Sequence, residues 1–411
     1  MNYEFFIAKR IIAAKADKGS ISSPIIKIAI IAIALGIIIM MVTVATVFGL
    51  QYKVKEKISG FSGHIQITNY EDNNSPITIT PISINQDFYP NFTSVDGIQN
   101  VQVFATKAGV IRTEKDFEGV IFKGISNDFN WSFFTTYLVE GNVLGLAGER
   151  SDQVLISKLI ADRLNLTIGD KFNLFFMKND TSKPPNLRIF TIAGIYNSGF
   201  KDFDESYILG DIKHVQRLNK WKPDEVGGFE VLLNDFDRLK EKGDEVYGEV
   251  SSTLNAQTIS DKFPNIFNWL DILDTNIYVI ISIMVLIAGI NMITALLVLI
   301  LERTQMIGIL KSLGSSNWSI RKLFLYNAGY LILKGLFWGN IIGIGILLIQ
   351  KYFGIIKLNP ENYYVSEAPV YLDVGYIFVL NIGTLLLCLL MLLIPSYIVS
   401  KISPVKAIKF D

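Results

Sequence analysis

The sequence has few of the residues that support redox chemistry, metal binding or acid–base catalysis. Its 411 residues include one cysteine, Cys388, so no disulfide can form within the chain. His64 and His214 are the only histidines and are far apart in sequence, and no motif indicates the partners that a metal site or a histidine-based triad would need. The chain also lacks a G-x-x-x-x-G-K-[ST] phosphate loop, so we expect it not to hydrolyse ATP on its own.

Charged residues are scarce as well, at 18% against 50% hydrophobic residues. Four windows are long and nearly free of charge: 28–50, 275–301, 323–350 and 374–400. Each covers the roughly 20 residues that a bilayer-spanning helix needs, and the first is too long for the apolar region of a signal peptide. We therefore predict four transmembrane α-helices. No carboxylate lies in these windows, which counts against a proton- or sodium-driven transporter.

The distribution of charge predicts the topology. Segments 1–27, 302–322 and 401–411 together hold 12 basic and 4 acidic residues, whereas 51–274 holds 23 basic and 31 acidic residues. Because basic loops remain in the cytoplasm, both termini and 302–322 are predicted to be cytoplasmic, with 51–274 and the short 351–373 loop outside. The expected location is the bacterial inner membrane.

The long block between the first two spans carries both strand and helix patterns. Alternating apolar residues indicate strands in "GHIQITNY" (63–70), "VQVFATKAGVI" (101–111) and "LRIFTIAGIY" (187–196), and "SKLIADRLNL" (157–166) is helical with Ser157 as a cap. The predicted class is α+β. The acids of "KDFDES" (201–206) lack the glycine and spacing of a calcium loop, which favours a solvated hairpin loop.

Three shorter features carry functional hypotheses. The loop "MKNDTSKPPNLR" (177–188) is stiffened by two prolines and is either a partner-binding arm or an ordinary hairpin loop. In the third span, Gly335, Gly339 and Gly343 permit close helix packing, either within the chain or at a dimer face. In "ERTQMIGILKSLG" (302–314) apolar residues recur at helical spacing and Gly314 can end the helix, which predicts an amphipathic helix on the inner membrane surface.

Several long stretches resemble one family. "LVLILERTQMIGILKSLGSSNWSIRKLFL" resembles the signature of the FtsX-like permeases of type VII ABC transporters, and "PSYIVSKISPVKAIKFD" is similar to that family's ending. "FFIAKRIIAAK", "ALGIIIMMVTVATVFGLQYKVKEKISGFSGHIQI" and "FTIAGIYNSGFKDFDESYIL" resemble the lipoprotein-releasing branch. The resemblance therefore covers nearly the whole chain.

The resemblance implies partners and site residues. The segment after the second span would be a coupling helix that docks on a separate ATPase, which would bind ATP and magnesium. The implied contacts are Glu302, Arg303, Ile307, Leu310, Leu313 and Gly314. The external domain would have two lobes, 51–150 with 227–270, and 151–226. The 177–188 loop takes the position of a hook that recruits a periplasmic carrier, with Lys183, Pro184, Pro185 and Arg188 as contacts.

The resemblance also implies a permease subunit that extracts lipoproteins from the inner membrane and works as a homo- or heterodimer. Acyl chains would enter between the first span of one subunit and the second span of its partner. The candidate residues are Met40, Val44, Val47, Phe48, Ile281, Met284 and Ala288. Two alternatives stay open: a mechanotransmission scaffold that regulates a cell-wall hydrolase, and an export permease for a peptide or drug.

Overall fold

The computed structural model describes residues 4, 6–8, 10, 22–72, 75–114, 116–178 and 184–401. The chain divides into two compact units. The helical unit comprises Met1–Leu50, Leu270–Lys357 and Glu367–Asp411, and the sheet unit comprises Gln51–Trp269 and Leu358–Ser366.

In chain order the helices are α1 Ser22–Ser62, α2 Ser132–Thr136, α3 Lys158–Leu164, α4 Lys201–Ser206, α5 Lys213–Asn219, α6 Leu239–Glu249, α7 Ile259–Lys262, α8 Pro264–Glu302, α9 Thr304–Ser312, α10 Asn317–Phe353, α11 Pro360–Tyr363, α12 Val374–Ser396 and α13 Ile398–Lys401. The strands are β1 Ile65–Asn69, β2 Ile82–Ser83, β3 Ile98–Arg112, β4 Phe117–Ile125, β5 Leu138–Gly141, β6 Gln153–Ser157, β7 Lys171–Phe176, β8 Asn186–Tyr196, β9 Tyr207–Asp211, β10 Glu225–Val226, β11 Gly228–Leu233 and β12 Leu254–Thr258. Two short 3₁₀ helices cover Tyr70–Asp72 and Phe236–Arg238.

Among the residues that the structure describes, four helices are long and apolar enough to cross a membrane, as predicted: Pro24–Ser62, Pro264–Glu302, Asn317–Phe353 and Val374–Ser400. The first three have 37 to 39 residues, well beyond the roughly 20 that span a bilayer. The helix α1 therefore continues past the predicted window, and α8 begins before its own. Once an apolar span has formed a helix, polar residues at its ends can extend it, because each further residue adds one backbone hydrogen bond.

The three glycines of the third span pack inside the chain. A Cβ atom added at Gly335 would lie 2.8 Å from Ile33, and one at Gly339 would lie 1.9 Å from Ile37, both in α1. At Gly343 the nearest atom is the sulfur of Met41, at 3.4 Å. In this structure the small residues of α10 are thus covered by α1 of the same chain, the first of the two alternatives raised by the sequence.

An amide pair joins α10 to α12. The Asn340 side chain donates to Asn381 Oδ1 at 2.6 Å, and the Asn381 side chain donates to Asn340 Oδ1 at 3.0 Å. Polar groups in a membrane-spanning segment must find partners within the protein, because lipid offers none. The reciprocal pair therefore fixes the register between these two helices.

The sheet unit is built on one mixed sheet with the order β12-β1-β11-β3-β4-β9-β6-β8-β5, and β7 pairs with both β3 and β8. Most neighbours are antiparallel, whereas β4 with β9 and β6 with β8 are parallel. Short helices flank the sheet, so the α+β class is confirmed. The division into two lobes stays a prediction. Strands of the two predicted lobes belong to one sheet, because β3 of the first lobe pairs with β7 of the second, and β5 with β8.

The stretch "KDFDES" forms helix α4, so the expected hairpin loop was wrong. The aromatic residues supply the reason, because Phe203 within the stretch and Phe200 just before it are buried. The Phe203 ring stacks on Phe61 with centroids 4.6 Å apart. Burial of these rings folds the turn into a helix, although its acids alone suggest a solvated loop.

We predict that Gly339→Ala destabilises the helical unit, by roughly 1–3 kcal/mol, because the new methyl group would overlap Ile37 and lie 2.9 Å from the Ala34 carbonyl oxygen. Thermal unfolding in detergent, followed by labelling of the buried Cys388 thiol, measures this. Gly345→Ala is the matched control, since no atom lies within 4 Å of its added Cβ. Equal unfolding midpoints for the two variants would contradict the packing.

Candidate functional site

Helix α9 presents an apolar ridge beside charged residues. Ile309 and Leu313 lie four residues apart, hence on one helical face, and their side chains are 48% and 78% exposed. Glu302 and Arg303 are exposed just before the helix, and Leu310 is half-buried. We call Ile309 and Leu313 the α9 ridge. The sequence placed Leu313 among the contacts but left out Ile309, although the four-residue spacing was available as a signal.

Ile307 does not lie on this surface, and its place in the predicted contact set is corrected. Its side chain is fully buried in the apolar core of the helical unit. Gly314, in contrast, is exposed and has a φ of +91°, with no atom within 4 Å of an added Cβ. This left-handed conformation ends the helix and requires a glycine, whatever binds nearby.

Two cations connect α9 and α10 to the last two helices: Lys311 of α9 contacts α13, and Arg321 of α10 contacts the end of α12. Lys311 Nζ donates to the carbonyl oxygens of Val399 and Ser400, at 2.9 and 3.2 Å. Arg321 donates to Ser396 Oγ at 3.1 Å and to the Leu393 carbonyl at 3.0 Å. Arg321 contacts the last turns of α12 near Pro395, which cannot donate a backbone hydrogen bond. The α9 ridge therefore belongs to a segment that these hydrogen bonds hold in place.

The β7–β8 hairpin carries the second surface. Phe176 pairs with Asn186 at its outer end, and residues 179–183 between the strands lie outside the described residues, so Lys183 is not placed. Pro184 and Pro185 are exposed, and Arg188 is half-buried. Three apolar side chains are also exposed here and were missed by the sequence: Met177, Leu187 and Ile189.

The exposed apolar residues share a face of the hairpin. Leu187 and Ile189 alternate along β8, so both side chains project from one side of the sheet, whereas Phe190 is buried on the other side. We call Leu187 and Ile189 the hairpin face. The alternation of Leu187 and Ile189 is visible in the sequence. Alternation alone does not show whether this face is exposed or is covered by other parts of the protein.

Basic residues cluster on the buried side of the same strand. Burial and the positive charges of Arg150 and Arg217 lower the pKa of Arg188. Its Nε atom is buried and has no hydrogen-bond partner among the described residues. Asp152 lies 3.6 Å from Arg150 Nε and 3.2 Å from His214 Nε2. One exposed carboxylate thus faces several cations, which leaves positive charge beside the hairpin.

Both histidines have structural surroundings. His214 is buried with its ring 4.7 Å from the Phe190 ring, its Nε2 lies 2.9 Å from the Ser151 carbonyl oxygen, and burial lowers its pKa. His64 Nδ1 accepts from the Leu233 amide at 3.0 Å, and burial lowers its pKa to about 4. Within the part of the chain that the structure describes, no three histidine, cysteine or acidic residues cluster as a metal site would require.

The structure divides the seven residues proposed to contact acyl chains. Met40, Val44 and Ala288 are buried in the core of the helical unit. Val47, Phe48, Ile281 and Met284 are partly exposed and pack against that core. A Cβ atom at Gly36 of α1 would lie 3.9 Å from the Met284 carbonyl oxygen, so α1 and α8 of one chain are already neighbours.

A buried ion pair lies in the sheet unit where α1 ends. Lys123 Nζ is 2.7 Å from Glu230 Oε1, and the two side chains are only 2% and 1% exposed. Glu230 also accepts from Gln66 at 3.1 Å and from Gln102 at 2.9 Å, and Lys123 donates to the Phe61 carbonyl oxygen. In the sequence, this pair is indicated by one charged residue in each of two otherwise apolar strands, "GVIFKGI" and "GFEVLL".

Family comparisons match nearly the whole chain. The model described as "MacB-like periplasmic core domain" matches residues 28–264, and the model described as "FtsX-like permease C-terminal" matches residues 278–404. The first match covers most of α1 and most of the sheet unit's long segment, Gln51–Trp269. The second covers most of α8 and extends beyond α13.

Curated relatives are similar over their full length. The lipoprotein-releasing system transmembrane protein LolC of Xylella fastidiosa is 20% identical over 419 residues, covering 98% of each chain. The corresponding LolE protein of Haemophilus influenzae is 21% identical over 423 residues, covering 99% of each chain. The crystal structure of the periplasmic region of MacB from Actinobacillus actinomycetemcomitans has a TM-score of 0.35 and 14% identity, and the match covers 51% of this chain and 95% of that chain.

Proposed function

Since this chain belongs to the FtsX-like permeases with a MacB-like periplasmic core domain, we propose that it extracts lipoproteins from the inner membrane and passes them to a periplasmic carrier. The observation that carries the proposal is the full-length similarity to relatives named as lipoprotein-releasing proteins, over 98–99% of both chains. The absence of carboxylates from the four apolar windows supports an energy source other than an ion gradient.

The energy source in this proposal is a separate cytoplasmic ABC ATPase that binds ATP and magnesium. The basic charge of segments 1–27, 302–322 and 401–411 supports a cytoplasmic position of α9 and both termini in this proposal. The α9 ridge then faces the ATPase, with Glu302, Arg303, Leu310 and Gly314 around it. Exposed apolar side chains next to charged ones are typical of a docking surface, because water contact with Ile309 and Leu313 is unfavourable until a partner covers them.

The carrier in this proposal binds the β7–β8 hairpin. The hairpin face offers apolar contact, and Pro184 and Pro185 are exposed beside it. Arg188, on the opposite side of the same strand, adds positive charge together with Arg150 and Arg217, and the longer-range attraction of this charge would favour an acidic carrier. Lys183 belongs to the same proposed surface by its sequence position.

The lipoprotein's acyl chains are proposed to contact the partly exposed members of the candidate set, Val47, Phe48, Ile281 and Met284. Met40, Val44 and Ala288 are covered by the chain's own helices, so they would contact cargo only after α1 and α8 move apart. The second permease subunit is either another copy or a related chain.

Reconstitution tests the function directly. The permease, its ATPase and a triacylated lipoprotein are placed in liposomes with soluble carrier outside, and lipoprotein in the soluble fraction is measured. We expect transfer that requires both ATP and carrier and that an ATPase-dead partner abolishes. ATP-dependent movement of a peptide or drug without lipoprotein transfer would favour export, and stimulation of a cell-wall hydrolase alone would favour the scaffold role.

Leu313→Asp is expected to reduce ATP-dependent transfer at least about tenfold, because a charge on the α9 ridge disrupts an apolar contact with the ATPase. ATPase co-purification and transfer are measured together. Ile355→Asp is the matched control. Ile355 is also an exposed apolar residue, at 66%, but it lies beyond the opposite end of α10 from the ridge. Equal loss in both variants would contradict the assignment. Gly314→Asp is less informative, since its φ of +91° adds strain.

Ile189→Asp is expected to weaken carrier binding by about tenfold or more, because it places a carboxylate on the apolar hairpin face. Binding of soluble carrier to the full chain in nanodiscs is the measurement. Tyr247→Asp on α6 serves as control, since Tyr247 is similarly exposed, at 56%. Unchanged carrier affinity in Ile189→Asp, with the control also unchanged, would remove the hairpin face from the proposed site.

A further inference from the structure

Two cations and two exposed aromatic rings meet where α10 begins and α12 ends. Arg321 and Lys322 lie three and four residues after Trp318, so the three side chains share one face of α10. The guanidinium carbon of Arg321 lies 5.2 Å from the centre of the Trp318 ring and 5.8 Å from that of the Tyr397 ring, which directly follows α12. Lys322 Nζ lies 5.9 Å from the centre of the Trp318 ring. We call these four residues the cationic patch.

The Arg321 guanidinium is held in place but is not saturated with hydrogen bonds. It donates from Nε to Ser396 Oγ at 3.1 Å and from Nη2 to the Leu393 carbonyl oxygen at 3.0 Å. Since a guanidinium has five N–H donors, the described residues leave three of them for a further acceptor. Two rings and two hydrogen bonds fix the orientation of the planar group, so binding an anion would cost little additional side-chain entropy.

The charge of the cationic patch is not neutralised within the described part of the chain. Neither Arg321 nor Lys322 forms an ion pair with a described carboxylate. The Glu4 carboxylate lies nearby and accepts from Ser319 Oγ at 3.1 Å. The patch therefore keeps positive charge that an anion from outside the chain can meet.

The length of α12 indicates the depth of the patch in a bilayer. This helix, Val374–Ser396, has 23 residues and no charged side chain. At 1.5 Å per residue it is about 35 Å long, close to the roughly 30 Å thickness of the hydrocarbon layer. Because Arg321 is bonded to the last residue of α12, the patch would lie at an edge of that layer. Exposed tryptophan and tyrosine side chains are typical of this level, where the lipid head groups begin.

We propose that the cationic patch binds the head group of an anionic phospholipid. Arg321 and Lys322 contact the phosphate, and the exposed rings of Trp318 and Tyr397 pack against the glycerol and the upper acyl chains. Basic pockets between membrane-spanning helices on the cytoplasmic side are suited to such head groups, and the predicted topology places this end of α10 there. The proposal depends neither on the cargo nor on the ATPase.

Charge and shape favour this ligand over two others. A phosphatidylcholine head group would bring its own cation beside Arg321 and Lys322, which is unfavourable. Inorganic phosphate would satisfy the two cations but would leave the rings of Trp318 and Tyr397 exposed. An anionic phospholipid supplies both the negative charge and the apolar surface.

Native mass spectrometry of the full chain in detergent, titrated with phosphatidylglycerol, tests the site. We expect a retained phosphatidylglycerol whose affinity falls about fivefold in Lys322→Gln, which removes one cation, and about tenfold in Arg321→Gln, which also removes the hydrogen-bonding fork. Lys351→Gln is the matched control, since Lys351 is an exposed cation beside the exposed rings of Tyr352 and Phe353 at the other end of α10. Equal losses in Lys322→Gln and Lys351→Gln would overturn the proposal.

Further probes separate the lipid from other occupants. Phosphatidylcholine should bind more weakly than phosphatidylglycerol, and inorganic phosphate should not displace the bound lipid. Phosphatidylcholine bound as tightly, or displacement by inorganic phosphate, would reject the assignment. So would loss of ATPase co-purification in Lys322→Gln with lipid binding unchanged, because the patch would then belong to the ATPase contact. If Arg321→Gln does not fold, Lys322→Gln decides, since Lys322 donates to no described residue.

Discussion

The architecture of the sheet unit depends on one buried ion pair, Lys123 with Glu230. Two charges removed from water are tolerated only when their remaining hydrogen bonds are satisfied, and here Gln66, Gln102 and the Phe61 carbonyl oxygen do this. The pair therefore fixes β4, β11, β1, β3 and the end of α1 in one arrangement. A slip of one residue in any of these strands would leave a buried charge without a partner.

The same requirement, that buried polar groups find hydrogen-bond partners, also organises the helical unit. Asn340 and Asn381 satisfy each other, Lys311 binds carbonyl oxygens of α13, and Arg321 binds one near the end of α12. Glycines on α10 let α1 approach closely, so these helices pack by shape where no polar partner is present. These contacts hold the spans together as one braced body, and the exposed α9 ridge is part of it.

In both units, the surfaces with functional interest are those on which apolar side chains stay exposed beside charges. On α9 these are Ile309 and Leu313, and on the hairpin they are Leu187 and Ile189. The acidic stretch "KDFDES" shows the opposite case, because its aromatic residue Phe203 and its acid Asp204 are both buried. In this stretch, the acidic residues therefore indicated neither an exposed loop nor a catalytic site.

The sequence by itself determined the four spans, the α+β class, the amphipathic α9 and the family, because apolar length, residue alternation and local motifs are properties of contiguous residues. It could not decide which side of α9 faces the chain's own core, so the predicted contact set included Ile307, which is buried, and left out Ile309, which is exposed. Nor could it pair Lys123 with Glu230, or bring Arg321 to Ser396. These partners are 107 and 75 positions apart in sequence, and only the tertiary fold sets which distant side chains meet.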